Sequence, residues 1–536
     1  MSTPAPATSG GAQNLCDYLI RNAKDRPEAA ALTNALNGTS IAYAELLKKA
    51  GGAAELLRDA GVGPGDRVAV YLDNSPEYAV FLFGILGIGA VAVPFNAALL
   101  PHSVAPLLAD CGAKALVLNP RHLRAAGRLF APGNALTALL SPAPAPQALP
   151  AGVRFLRCNL EALEGPPPRA AGASGDLALV LYTSGTTGAP KGVMLSHANL
   201  IANTGSILSY LALTPEDSQV AVLPWAYSYG NSVLLTHIAA GARLVIDNRV
   251  NYPSTIVQTM ANEQVTGFSG VQSHYALLVH KSDFCRRSLP RFRYATCAGG
   301  PFARPLIDTL RGTWPKLRIF CMYGQTEASA RLSYLPPEHL DARPGSIGVP
   351  IPGVELRVLR PDGTEAPPRE VGELVARGPN IMSGYLNAPE KTAEVLRPEG
   401  LWTGDMAWRD EDGFLFIAGR KRDIIKTGGN RVSPQEVEEA VLRLDGVLEC
   451  AVVGVPDPLF GEAVSATIVP REGTALSAKS VRQSLRATLE PFKIPSRIEF
   501  VAGLPKTAAG KTDKDAIRRR AQESPGEGLP GAAPVS

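Results

Sequence analysis

Five apolar residues in a row, Leu177, Ala178, Leu179, Val180 and Leu181, run directly into a loop of hydroxyl residues and glycines, and the rest of the chain must be built around that junction. A continuous apolar run of this length predicts a strand. The loop holds Thr183, Ser184, Gly185, Thr186, Thr187 and Gly188, with Lys191 close behind. Glycine lets backbone N–H groups turn toward a ligand without a side chain in the way. The hydroxyls add donors and the lysine adds positive charge. Together they make an anion cradle suited to phosphate. The Walker spacing G-x-x-x-x-G-K-S/T is absent. A plain Gly/Thr surface loop is the competing reading of the stretch taken alone. Ala198 to Leu211 reads as a helix with Ser196 as its cap, which gives a strand–loop–helix order.

At 536 residues the chain is too long for one ordinary core, so two or more domains are expected. The net charge of +4 is small for this length, and Lys and Arg are scattered, which argues against nucleic acid as the main partner. The seven cysteines are dispersed and odd in number, with no C-x-x-C pair. They read as free thiols in a reducing cytoplasm, and the seven histidines show no zinc-ligand spacing. The most apolar stretch, Ala79 to Pro94, is too short to span a bilayer, holds three glycines and ends in proline. It reads as a buried helix, a glycine turn and a buried strand.

Elsewhere, Leu15–Ala23 and Ala44–Ala60 carry helical periodicity. Arg67–Leu72 and Ala115–Leu118 read as strands, with a short extended segment at Val153–Leu156 between Pro/Gly-rich loops. Alternating strand and helix predicts a large α/β domain of layered subdomains with mainly parallel sheets over residues 13–420. A smaller α+β domain is expected over 421–520. Its helices start at Ser433-Pro434 and Ala478, and its strands are Leu448–Val455, Glu462–Val469 and Ile498–Val501. Loose tails are expected at 1–12 and 521–536.

Trp225, Tyr227 and Tyr229, with Ser228 and Gly230 among them, cluster after Ala221-Val222-Leu223-Pro224 and are placed to line a crevice at the end of a strand. Core packing of the same aromatics is the alternative. Ala298, Gly299, Gly300 and Pro301 end another strand with small residues. Ile319–Met322 leads into Tyr323, Gly324, Gln325, Thr326 and Glu327. Then come Thr403-Gly404-Asp405, Gly419-Arg420, the segment Ile424–Val432, and Leu504-Pro505-Lys506-Thr507 ending in Gly510-Lys511.

The loop, Tyr323–Glu327 (Y-G-x-T-E), Asp405, Arg420 and the L-P-x-T-x-x-G-K segment occur in the order found in the adenylate-forming superfamily, which the chain resembles over roughly residues 13 to 515. That superfamily includes acyl-CoA synthetases, aryl-acid ligases, peptide-synthetase adenylation domains and beetle luciferases. The resemblance implies a two-step ligase using ATP, Mg²⁺ and CoA. Thr183–Gly188 and Lys191 would hold the phosphates. Gly299, Gly300, Pro301, Tyr323 and Gly324 would form the adenine site. Thr326 would bond the α-phosphate, Glu327 would hold the metal, Asp405 and Arg420 would take the ribose, and Lys511 would be catalytic.

The resemblance further implies that Lys426, Gly428 and Gly429 line a thiol tunnel and that Arg422 is the hinge of a mobile C-terminal domain. The family usually has Asp or Lys at that hinge. Trp225, Tyr227, Ser228, Tyr229 and Gly230 would form the acid pocket. Ser228 stands where amino-acid-activating members place an Asp, so a substrate α-ammonium would lack its counter-charge. The expected partners are a small carboxylic acid without an α-ammonium and CoA. A separate carrier protein's phosphopantetheine or a non-thiol acceptor are the alternatives for the second step. A nucleotide-binding scaffold without catalysis is a further reading, which the presence of Glu327, Asp405 and Lys511 opposes. Neither a membrane span nor nucleic acid is expected, and the assembly is expected to be a monomer or homodimer.

Overall fold

The apolar strand before the loop is one of eight in a sheet ordered Arg154–Arg157, Ala138–Ser141, Ala115–Leu118, Arg67–Tyr71, Val91–Pro94, Leu177–Thr183, Lys191–Ser196, Gly384–Tyr385. The pairings are parallel up to Leu177–Thr183 and antiparallel in the last two. A second sheet has nine strands: Ser40–Ala42, Ala30–Asn34, Arg243–Ile246, Ser218–Ala221, Gly267–Gly270, Tyr294–Cys297, Arg318–Tyr323, Ser333–Leu335 and Val349–Pro350. It is parallel in the middle and antiparallel at both edges. The structure is a computed structural model and describes residues 11–124, 126–129, 134–146, 149–168, 171–183, 190–420, 423, 425–427, 430–457, 461–507 and 511–523.

The stretch Ala79–Pro94 folds as the sequence predicts. The helix Pro76–Gly87 is buried on every side, Gly89 turns with φ +73°, and the strand Val91–Pro94 enters the middle of the first sheet. Among the described residues no helix is long and apolar enough to cross a membrane. Asn74, just past the strand Arg67–Tyr71, donates to the carbonyls of Ala221 (3.3 Å) and Leu223 (2.8 Å) beyond a strand of the second sheet. The carboxyl ends of strands from both sheets are thereby tied together, which is where open α/β sheets bind ligands.

One expectation is corrected at the loop. A six-residue strand, Lys191–Ser196, returns antiparallel along Leu177–Thr183 before the helix His197–Leu211 starts. The helix N-terminus therefore does not follow the loop directly. Its cap is as read: the Ser196 hydroxyl accepts from Asn199 N at 3.1 Å, and the Asn199 side chain accepts from Ser196 N at 2.9 Å.

The buried imidazole of His197 accepts a hydrogen bond from Leu15 N at 3.2 Å. Burial lowers His197 and His237 to about 4. The unfolded chain takes up these protons near its ordinary value of about 6.5. Folded stability is therefore complete above pH 6.5 and falls as pH drops toward 4. Linkage gives a loss of about 2 kcal/mol per histidine at pH 5. A thermal midpoint that drops between pH 7.5 and 5, with a smaller drop in His197→Asn, is the expected result. An unchanged midpoint would contradict it.

The chain divides into two compact units, Met1–Leu356 with Ala376–Leu401, and Arg357–Val375 with Trp402–Ser536. The expected boundary at 420/421 falls inside the second unit, because Leu415–Arg420 pairs with Gly400–Arg409 and also touches the helix Pro434–Leu442. The C-terminal sheet holds Ile425–Thr427, Asn430–Val432, Val447–Asp457, Gly461–Pro470 and Arg497–Phe500. Alternate residues feed two cores. Val452, Val464, Ala466 and Ile468 pack with Val437, Val441, Val481 and Leu485 of the helices Pro434–Leu442 and Ala478–Leu485. Val453, Val455 and Ala463 pack with Ile517 and Ala521. Those last two lie on a helix, Lys514–Glu523, so residues 521–523 continue a packed helix rather than begin a tail.

Candidate active site

Thr183 ends its strand directly across from Lys191, the first residue of the returning strand. Ser184, Gly185, Thr186, Thr187 and Gly188 lie outside the described residues. The Lys191 ammonium sits 4.7 Å from the ring centroid of Tyr385, a cation–π distance. The Tyr385 hydroxyl donates to Glu327 Oε1 at 2.8 Å, and the Glu327 carbonyl accepts from Met382 N at 2.9 Å. Burial pushes the Tyr385 phenol well above its ordinary range, and the Glu327 charge pushes the same way. The phenol therefore stays protonated and remains a donor. Lys191 and Glu327, distant in sequence, are joined through one aromatic side chain.

Glu327 belongs to a short 3₁₀ turn, Thr326–Ala328, that follows the strand Arg318–Tyr323. Gly324 is required there, since a Cβ would lie 2.0 Å from the Ala330 carbonyl oxygen. The Thr326 hydroxyl lies 3.2 Å from the Ser228 hydroxyl. Ser228 opens the helix Ser228–Ala240. The Y-G-x-T-E turn and the aromatic segment thus meet at a pair of hydroxyls. Gly299 (φ +85°), Gly300 and Pro301 are exposed just past the strand Tyr294–Cys297.

The aromatic residues divide between the site and the core. Tyr227 and Tyr229 are half-buried at the start of the helix. Asn96, beyond a strand of the first sheet, donates to the Tyr227 hydroxyl at 3.0 Å. The Tyr229 hydroxyl bonds Thr296 Oγ1 at 2.8 Å. Trp225 is 1% exposed and packs edge-on against Tyr78. At Gly230 a Cβ would lie 2.1 Å from the Pro224 carbonyl oxygen, so the glycine permits a close backbone approach.

In the second unit, Asp405 is 5% exposed and its carboxylate pairs with Arg420 Nε at 2.9 Å across adjacent strands. Lys506, the competitor for Lys511 by charge, pairs with Glu449. Thr507 N donates to the Lys511 carbonyl at 2.7 Å. Lys426 lies in the strand Ile425–Thr427. Arg422, Gly428 and Gly429 lie outside the described residues.

The sequence matches the AMP-binding enzyme family over residues 19–386 and its C-terminal domain over residues 436–511. The chain belongs to the AMP-binding enzyme family. It is 35% identical to a feruloyl-CoA synthase of an Amycolatopsis species over 95% of this chain and 99% of that protein. It is 33% identical to the sulfoacetate–CoA ligase of Cupriavidus necator over 93% and 96% of the two chains. The crystal structure of ATP-bound MatB from Rhodopseudomonas palustris matches with a TM-score of 0.83 at 30% identity, covering 95% of this chain and 99% of that one.

In this AMP-binding enzyme, sequence reasoning missed two residues beside the turn: Tyr385, and Arg331, whose guanidinium carbon lies 4.5 Å from the Tyr229 ring centroid. A hydroxyl at a Gly-Tyr pair gives no local signal of an interaction 58 residues away. Removing a hydrogen bond to a charged group costs about 1.5–3 kcal/mol. Tyr385→Phe is therefore expected to raise the Mg²⁺ concentration needed for half-maximal activity by about tenfold or more, with KM for the acid unchanged. A titration of activity against Mg²⁺ checks this, and an unchanged requirement would separate Tyr385 from Glu327.

Proposed function

We propose that the protein activates a carboxylic acid with ATP and transfers the acyl group to CoA. In the first step an acid carboxylate oxygen attacks the α-phosphorus of ATP, forming acyl-adenylate and expelling pyrophosphate. In the second, the CoA sulfur attacks the acyl carbon, the thiol proton is lost, and AMP leaves. Both partners in the first step are anions, so alignment and charge neutralisation carry the catalysis.

The observation that supports this best is the meeting of Thr326 with Ser228, beside a Glu327 held by Tyr385, whose ring lies against Lys191. Thr326 would donate to the α-phosphate while the acid lies against Ser228 and Tyr229. One carboxylate combined with nucleotide oxygens suits Mg²⁺, and among the described residues no cluster of three or more protein ligands competes for it. Glu327 would hold Mg²⁺, which supplies charge neutralisation at the phosphates when bound. Asp405 and Arg420 would bind the ribose, and Tyr323 the adenine with Gly299, Gly300 and Pro301. The Thr183–Gly188 loop would cradle the phosphates, with Lys511 supplying a cation. Rotation of the C-terminal domain about Arg422 would then bring Lys426, Gly428 and Gly429 to the thiol.

A screen of carboxylic acids for ATP-dependent pyrophosphate release, with and without CoA, tests the reading. Multiple turnover that needs both an acid and CoA is expected. Turnover only with a pantetheinylated carrier protein would replace CoA as acceptor, and no release with any acid would end the ligase reading.

A further inference from the structure

Arg331 lies at the end of the same turn as Thr326 and Glu327 and is only 3% exposed. Among the described residues its Nε has no hydrogen-bond partner. Its terminal nitrogens make only long contacts, 3.3 Å to the neighbouring Ala330 carbonyl and 3.4 Å to the Ser232 hydroxyl. The guanidinium also lies over the Tyr229 ring at 4.5 Å, and its charge acts on the nearby Tyr210 hydroxyl. Among the described residues no carboxylate pairs with it.

The backbone holds this arginine in place at some conformational cost. Ser329 (φ 61°) and Ala330 (φ 147°) precede it in conformations that residues with a Cβ rarely adopt. Asn203 and Asn380 both donate to the Arg331 carbonyl, at 3.1 and 2.9 Å. A buried ion without a counter-ion is costly, several kcal/mol even after relaxation. A cation–π contact returns only about 0.5–2 kcal/mol. Packing against Tyr229 therefore does not by itself account for the charge.

We propose that Arg331 pairs with a second anionic group on the substrate, so that the acid activated is a small carboxylic acid bearing a distal carboxylate or sulfonate. This rests on the ligase reading above and names its substrate class. The reacting carboxylate lies at Thr326 and Ser228. Arg331 reaches Ser232, 3.4 Å away and one helical turn past Ser228 on the same face, so a short spacer joins the two anionic ends. A guanidinium takes a carboxylate or sulfonate through two parallel N–H donors, and the unpaired Nε supplies one of them. A cation here also repels a substrate ammonium, which agrees with the absence of an acidic residue at Ser228.

The test measures pyrophosphate release with ATP, Mg²⁺ and CoA on matched pairs: succinate against butyrate, terephthalate against 4-methylbenzoate, and sulfoacetate against propionate. Wild-type protein is expected to favour at least one doubly anionic member over its partner by about 100-fold or more in kcat/KM. The sulfoacetate pair tells sulfonate from carboxylate. Arg331→Met is expected to bring that ratio to within about tenfold by losing the dianion, and Arg331→Lys to retain part of it. Wild-type preference for the monocarboxylates throughout would overturn the proposal while leaving the ligase reading intact, as would Arg331→Met lowering both members of a pair equally. Should Arg331→Met fail to fold, the wild-type ratio and Arg331→Lys decide. No release with any acid overturns the ligase reading and this proposal with it.

Discussion

Lys511→Ala is expected to slow acid-dependent ATP–pyrophosphate exchange by about 10²–10³-fold, the usual cost of removing one preorganised charge-stabilising group from a transition state. The first half-reaction brings a carboxylate to a triphosphate, so negative charge accumulates as the new bond forms, and a cation placed in advance is worth most at that moment. Lys506 cannot replace it, because its ammonium is committed to Glu449. Thr507 N donates to the Lys511 carbonyl, and Lys506 pairs antiparallel with Thr512. Lys506→Ala should therefore leave exchange close to wild type. Thioester formation from a supplied acyl-adenylate should survive Lys511→Ala, since no charge develops on a transferring phosphate in that step. Near-wild-type exchange in Lys511→Ala would show that the lysine has no part in adenylation.

Glu327→Gln is the second large effect. Replacing a metal-holding carboxylate by a neutral amide of the same shape removes the charge while keeping the packing, and a loss of about 10²–10³-fold in exchange is expected. The Tyr385 hydroxyl can still donate to the amide oxygen, so the fold should be undisturbed and the melting temperature unchanged. Raising Mg²⁺ should recover part of the activity. A variant with full activity at ordinary Mg²⁺ would exclude Glu327 as the metal ligand, and the tenfold effect expected for Tyr385→Phe would lose its basis.

The fold was legible where local signals agreed with one another. The helix at Ser433-Pro434 has proline in its first turn and a capping hydroxyl that accepts from Glu436 N, and both are visible in four residues of sequence. The strands Arg67–Tyr71 and Ala115–Leu118 were equally plain. The strand Lys191–Ser196 was not, because a short run behind a glycine loop and ahead of a capped helix reads as part of the loop. The helix Lys514–Glu523 shows only Ile517 and Ala521 to a core, and its charged remainder looks like a tail.

The site was legible as motifs and illegible as contacts. Trp225 packs against Tyr78 and Gly230 lies against the Pro224 carbonyl, contacts that no local pattern in the segment displays. Arg331 carries meaning only because no carboxylate among the described residues pairs with it, which no sequence pattern displays.

The central claim is that an acyl-adenylate forms first and is then discharged to a thiol. A single-turnover experiment with α-labelled ATP, enzyme in excess and an accepted acid tests it most directly. Without CoA, labelled acyl-adenylate should accumulate in proportion to enzyme, and added CoA should convert it to AMP and acyl-CoA. Label appearing in ADP, or AMP forming only by a route that bypasses the adenylate, would contradict the account.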